Sequence, residues 1–197
     1  MLNEKILVIV QDLIKGTKIK KALISGGFHV VSVTEDPFAA IRILRGQEVH
    51  LTIVDTAISK INYIQLAETI EYENLGPVIC IGNQAVPVLK DLPTSVYGVL
   101  PQSVTAEQLF TTIKMAVRQY QIHQKLRKEV ILLKRKLTEK KVVDQAKRLL
   151  MEKEGIPEEQ AYEKMRKISM NKRVSLRAVA EKVIERLSLQ TSDSYIE

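Results

Sequence analysis

The sequence predicts an α/β fold followed by an all-α one: a doubly wound (βα)5 sheet, a long coiled-coil helix and a C-terminal three-helix bundle. Three observations predict it. Short apolar, β-branched runs alternate with amphipathic stretches over roughly the first 118 residues, which is the pattern of a parallel sheet covered by helices on both faces. Seven of the eight glycines and five of the six prolines lie before residue 113, so turns are confined to the first part. The charge divides at the same place. Residues 1–113 hold 9 Lys/Arg against 11 Asp/Glu, a net −2, and residues 114–197 hold 21 against 12, a net +9. The resulting domain boundaries are 1–118 for the sheet domain, 119–137 for a coiled-coil linker and 138–197 for the helical head.

Each element follows from local sequence. Lys5–Val10 is a continuous apolar run suited to a central strand buried on both sides. Leu51–Val54 and Val78–Ile81 are two more, while Val30–Val33 and Ser95–Val99 are shorter and read as edge strands. Helical stretches fall at about 14–25, 37–46, 61–73, 85–90 and 104–120, the last opened by a Thr105–Gln108 capping box. In such sheets function gathers where the strands end in carboxyl-terminal loops. Those ends carry Gln11 and Asp12, Asp55, Gly82 and Asn83, and Leu100 and Pro101.

From Met115 to about Lys153 there is neither Gly nor Pro. Leu126, Val130, Leu133 and Leu137 are spaced 4, 3 and 4, a heptad seam, and Ile122 and Ile131 widen it. Residues 114–140 carry a net +7. His123 falls near the seam and reads as a packed or half-exposed histidine. Val143, Ala146, Leu149 and Leu150 then give one apolar face, and Ala161, Met165 and Ile168 a second. Leu176, Val179, Ala180, Val183, Ile184 and Leu187 give a third. Gly155 is placed to stop one helix, Pro157 to open the next at its first position, and Ser175 to cap the last. Residues 188–197 read as a frayed tail.

The residues at the strand ends bring in a family. The region 4–120 resembles the receiver domain of two-component response regulators. That resemblance implies an acidic pair for Mg²⁺, an acceptor aspartate, a hydroxyl residue after strand 4 and a lysine before a proline after strand 5. Asp55 matches the acceptor and is the candidate phosphoacceptor. Asp12 matches the second metal acid, and Tyr97 the switch aromatic. The first acid is replaced by Gln11, the hydroxyl by Gly82 and the lysine by Leu100. A metal would have only Asp12 and Asp55, so no cofactor is required and any Mg²⁺ site is weak. The pattern favours a pseudo-receiver that docks or dimerises, with Asp12 and Asp55 as leftover polar residues, over a site that titrates with phosphate.

The C-terminal order of residues is similar to the ANTAR domain, the RNA-binding module of transcription antitermination regulators. The stretches that carry the likeness are 144–151 (DQAKRLLM), 159–167 (EQAYEKMRK), Ser169, Met170 and Arg173, and 176–184 (LRAVAEKVI). Receiver, coiled coil and ANTAR is that family's usual order. It implies a regulator that binds paired hairpins in mRNA leaders as a homodimer, under the control of a sensor kinase or a sequestering protein. Residues 141–187 carry a net +4. Lys147 and Arg148 on the first helix, and Arg166, Lys167, Asn171, Lys172 and Arg173 between the second and third, are candidate RNA contacts. Tyr162 is the aromatic placed to stack on a loop base, weighed evenly against a core tyrosine with a wet hydroxyl.

Several classes are set aside. One cysteine, Cys80, allows no internal disulfide, and three scattered histidines make no metal centre. No Ser/His/Asp or Cys/His set and no phosphate loop supports an enzyme. A DNA-binding regulator needs a recognition helix beyond Leu187, where only ten residues remain. A coiled-coil docking adaptor is the other rival. No signal peptide or membrane span is visible, so a cytoplasmic location without membrane partners is expected.

Overall fold

A computed structural model of the chain describes residues 4–83 and 91–192. The helix expected at 85–90 lies outside the described residues. The elements in order are β1 (Lys5–Ile9), α1 (Leu13–Ser25), β2 (His29–Thr34), α2 (Pro37–Gly46), β3 (Leu51–Asp55), α3 (Tyr63–Tyr72), β4 (Val78–Ile81), β5 (Val96–Leu100), α4 (Ala106–Glu154), α5 (Glu158–Lys172) and α6 (Leu176–Ser192). The chain divides into two compact units, Met1–Lys125 and Leu126–Glu197.

In the first unit all five strands are parallel, in the order β2-β1-β3-β4-β5. β2 and β5 are the edges, as expected, and they are only partly buried where β3 and β4 are buried throughout. Strand periodicity sorts β1 and the residue after it to two faces. Ile6, Val8 and Val10 pack with Leu23 of α1 and with Leu109, Ile113 and Ala116 of α4. Leu7 and Ile9 pack with Ala40, Ile41 and Leu44 of α2 and Leu66 and Ile70 of α3. The βα loops feeding α1, α2 and α3 end alike. Asp12, Asp36 and Asn62 each accept a hydrogen bond from the backbone N–H two residues on, at 2.8, 3.2 and 2.8 Å. The capping box before α4 is reciprocal: Thr105 N donates to Gln108 Oε1 at 3.0 Å, and Gln108 N to Thr105 Oγ1 at 3.3 Å.

In the second unit α4, α5 and α6 share one small core. Ala146, Ala161, Met165 and Ala180 are fully buried, with Leu150 and Val179 nearly so. Alanine on all three helices lets the backbones approach around the single large Met165 side chain. Gly155, at φ +65°, sits in the left-handed region and ends α4, as its position predicts. Pro157 stands one place earlier than expected, as the N-cap of α5, and Glu158 and Glu159 fill the first turn. Ser175 Oγ accepts from Ala178 N at 3.2 Å and starts α6. The stretch read as a frayed tail begins too early, since α6 continues to Ser192. Its last turn continues the good helix formers before it, and no Gly or Pro interrupts it.

Along α4 the predicted seam stays uncovered within the chain. Leu126, Val130, Ile131, Leu133 and Leu137 are each about half exposed. Among the described residues, no helix is long and apolar enough to cross a membrane.

Candidate functional site

Two places carry chemistry, one in each unit. The first is the strand-end edge of the sheet. Asp55 ends β3, and its side chain is 3% exposed. Its Oδ1 accepts from Ala57 N at 3.1 Å, and its Oδ2 faces Lys15 Nζ at 2.8 Å. Lys15 comes from the first turn of α1 and is itself mostly covered. Asp12 stands close by in sequence, but one of its oxygens caps α1. Gln11 turns its Oε1 to Ser59 N at 2.9 Å. With Lys15 paired to Asp55, the donor set does not fit a divalent cation. Mg²⁺ wants oxygen ligands in near-octahedral array, with carboxylates to offset its charge. Here one donor is a neutral amide already bonded, one carboxylate caps a helix, and the other is paired with an ammonium.

The place of the absent hydroxyl is also filled. A Cβ built on Gly82 would collide with Thr56 Oγ1. Thr56 follows Asp55, is buried, and its hydroxyl finds no hydrogen-bond partner among the described residues. Neither Lys15 nor Thr56 stood out in the sequence, because each belongs to an element other than the one whose motif residue is missing. A cleft of about 620 Å³ opens beside this edge, with Lys15, Lys18, Asp12, Asp55, Gln102 and Thr105 contributing its polar lining.

Tyr97, the switch aromatic, lies on β5 against α4. Its hydroxyl and His123 Nδ1 are 2.8 Å apart, and its ring meets Tyr120 edge-on at 5.9 Å between centroids. Burial raises the phenol above its ordinary pKa, helped by Tyr120 and Glu71. His123 is thus an exposed residue held by one hydrogen bond. On the other face Cys80 is fully buried, which pushes its thiol up to about 12.

The second place is on the helical head. Lys136, Glu139, Lys140, Val143, Asp144 and Lys147 of α4, Tyr162 of α5, and Ser175, Leu176 and Arg177 at the start of α6 line a cleft of about 430 Å³. Four cations face two anions there. Tyr162 is 40% exposed, so it belongs to the cleft wall and not to the core. Arg177 pairs with Glu181 at 2.7 Å, and that carboxylate raises its guanidinium pKa further. Lys147 is tied down: Asp144 lies at 2.8 Å and Glu158 at 2.6 Å. Those carboxylates, Asp144 first, raise its pKa, and in return Lys147 lowers that of Asp144. Lys147 is therefore a clasp between α4 and α5 before it is a contact for anything else.

The remaining sequence candidates spread along the outside of α4 and α5. Arg148, Lys167, Asn171 and Lys172 are exposed. Arg166 is exposed and pairs with Glu163 at 3.2 Å. Arg173 closes α5 in the left-handed region at φ 52°. None of these six lines the Tyr162 cleft. Sequence reading also passed over Lys136, Lys140 and Arg177, which do. Lys136 and Lys140 are one turn apart on one face of α4, and that spacing is the signal that could have found them.

Comparison with known proteins places both units. Residues 132–184 match the ANTAR domain family. Over 165 residues, 82% of this chain and 80% of the relative, the sequence is 27% identical to the transcriptional regulatory protein PdtaR of Mycobacterium tuberculosis. The N-terminal domain of a response regulator/sensory box/GGDEF protein from Carboxydothermus hydrogenoformans superposes with a TM-score of 0.54 at 23% identity, covering 61% of this chain and 98% of that one. A response regulator receiver domain from Clostridium thermocellum gives 0.54 at 22% identity, covering 60% and 98%. The response regulator StyR gives 0.60 at 15% identity, covering 93% and 98%. The structural likenesses fix the fold of the first unit as receiver-like.

Proposed function

We propose, from the premise that the chain carries a receiver-like domain followed by an ANTAR domain, that it is an RNA-binding transcription antiterminator of the response-regulator type. It binds hairpins in nascent mRNA as a dimer, and its degenerate receiver answers to a partner, or only weakly to phosphorylation. The observation that supports this best is the Tyr162 cleft, within the ANTAR region: an exposed aromatic ring flanked by Lys136, Lys140 and Arg177. Unstacked loop bases are recognised on such rings while cations hold the phosphates. The DNA-binding alternative is weaker, because among the described residues no helix follows α6 to enter a groove.

The half-exposed seam from Leu126 to Leu137 supports self-association. Two strongly basic helices repel each other, and a bound polyanion relieves that repulsion. RNA binding and dimerisation therefore strengthen each other.

Gel shifts with a hairpin RNA and a duplex DNA of equal length test the reading. A Lys136→Ala/Lys140→Ala double variant weakens hairpin binding and lowers the slope of log affinity against log salt by about 2, one for each phosphate no longer neutralised. Arg166→Ala/Arg173→Ala reports on the outer face of α5 in the same assay. Equal affinity of the unmodified protein for the two nucleic acids would leave only general polyanion binding. Sedimentation of a Leu133→Lys variant, monomeric where the parent is dimeric, tests the seam.

A further inference from the structure

The strand-end pocket holds a buried carboxylate that needs a cation, in a chain that lacks both the first metal acid and the lysine of strand 5. A carboxylate 3% exposed is costly to bury without a partner. The partner present is Lys15, with Nζ 2.8 Å from Asp55 Oδ2. It reaches the carboxylate from α1, on the side where Gln11 and Asp12 lead into the helix. Both oxygens of Asp55 are then engaged, one by Lys15 and the other by Ala57 N–H. Gln11 Oε1 is taken by Ser59 N–H, and Asp12 Oδ1 by Ile14 N–H. Thr56 occupies the space over Gly82, so the hydroxyl position is filled while the carboxylate is paired.

We propose that Lys15 is a resident counter-ion that takes the place of a divalent cation at Asp55, so that the pocket takes Mg²⁺ only when the Lys15 charge is removed. The ammonium and a divalent cation compete for the same carboxylate oxygen. Mg²⁺ sheds its bound water reluctantly and gains little from one shared carboxylate, whereas Lys15 is tethered and always at hand. The first unit is thereby held in a single charge state whatever the metal concentration. This inference stands apart from the RNA reading, since every group in it belongs to the receiver-like unit.

The test uses the full chain. Isothermal titration with MgCl2 and thermal melts with and without Mg²⁺ are run on the unmodified protein, Lys15→Met, Asp55→Asn and the double variant, with Lys20→Met as a control from the same helix outside the cleft. The expected result is no saturable Mg²⁺ heat for the unmodified protein or for Lys20→Met. Lys15→Met gains saturable binding and a Mg²⁺-dependent rise in melting temperature, and both are lost again with Asp55→Asn added. Without Mg²⁺ the two single variants melt lower than the double variant predicts by addition, which is the signature of a broken pair. If Lys15→Met is unfolded at the working temperature, recovery of its far-UV circular dichroism on adding Mg²⁺ is the same result. Mg²⁺ binding by the unmodified protein as tight as by Lys15→Met would overturn the proposal. So would a Lys15→Met protein that neither binds nor responds to Mg²⁺, or strictly additive melting shifts.

Discussion

Replacing Tyr162 by alanine separates recognition from folding. The ring is 40% exposed, lines the cationic cleft and is absent from the buried cluster around Met165. Its removal therefore costs the helical head little, about 1 kcal/mol for a partly covered surface side chain. A ring exposed at the wall of such a cleft offers a stacking surface to a single base. One base–aromatic stack contributes roughly 1–3 kcal/mol, a loss of roughly five- to 150-fold in affinity. The assay is a hairpin gel shift at fixed salt beside a thermal melt of the same preparation. Tyr162→Phe keeps the ring and holds its affinity near the parent's, because the stack uses the π-face and not the hydroxyl. A Tyr162→Ala protein that melts normally and binds the hairpin within twofold of the parent would refute the stacking argument. An equal loss toward duplex DNA would refute the part of it that concerns loops.

Other outcomes follow from the same packing and charge. Met165→Ala empties the centre of the three-helix core and lowers the stability of that unit by about 2–5 kcal/mol, read in a denaturant titration. Cys80, with its thiol pushed up to about 12, stays unreactive toward a thiol-specific disulfide reagent at neutral pH in the native protein and reacts once unfolded. Asp144 is held below its ordinary pKa by Lys147, so its contribution is present above the unfolded value and is lost as pH falls through the depressed folded one. Lys147 is raised, so its contribution is present below its unfolded value and is lost as pH rises through the folded one. Asp144→Asn flattens the acid limb of a melting-temperature profile of the helical head. The effect is small, because the pair is solvent-screened.

The fold was largely legible because strand and helix periods are local. The run Lys5–Val10 and the Thr105–Gln108 box act over a few residues, and the structure repeats them. The site was legible only where a role belongs to one position. Asp55 stands at its strand end and Tyr97 on its strand. What stayed hidden is substitution across elements. Lys15 covers for a residue expected four strands away in the sequence, and nothing in the local pattern of α1 marks it. Glu158 stands in the first turn of α5, where the helix dipole favours an acid. It also clasps Lys147, a contact made across eleven residues and a turn. The basic cluster Arg166–Arg173 drew attention by density, while Lys136, Lys140 and Arg177 converge only through the packing of α4, α5 and α6.

The overlap between Thr56 and position 82 gives the pocket a direction in time. A serine arriving at 82 meets an occupied volume, so the first step back toward a hydroxyl there is blocked while Thr56 remains. Thr56→Ala clears that volume; it forfeits about 0.8 kcal/mol for the missing methyl but also removes a buried hydroxyl that has no hydrogen-bond partner among the described residues. Position 56 therefore has to give way, in rotamer or in residue, before a side chain fits at 82, so the order of the two changes matters.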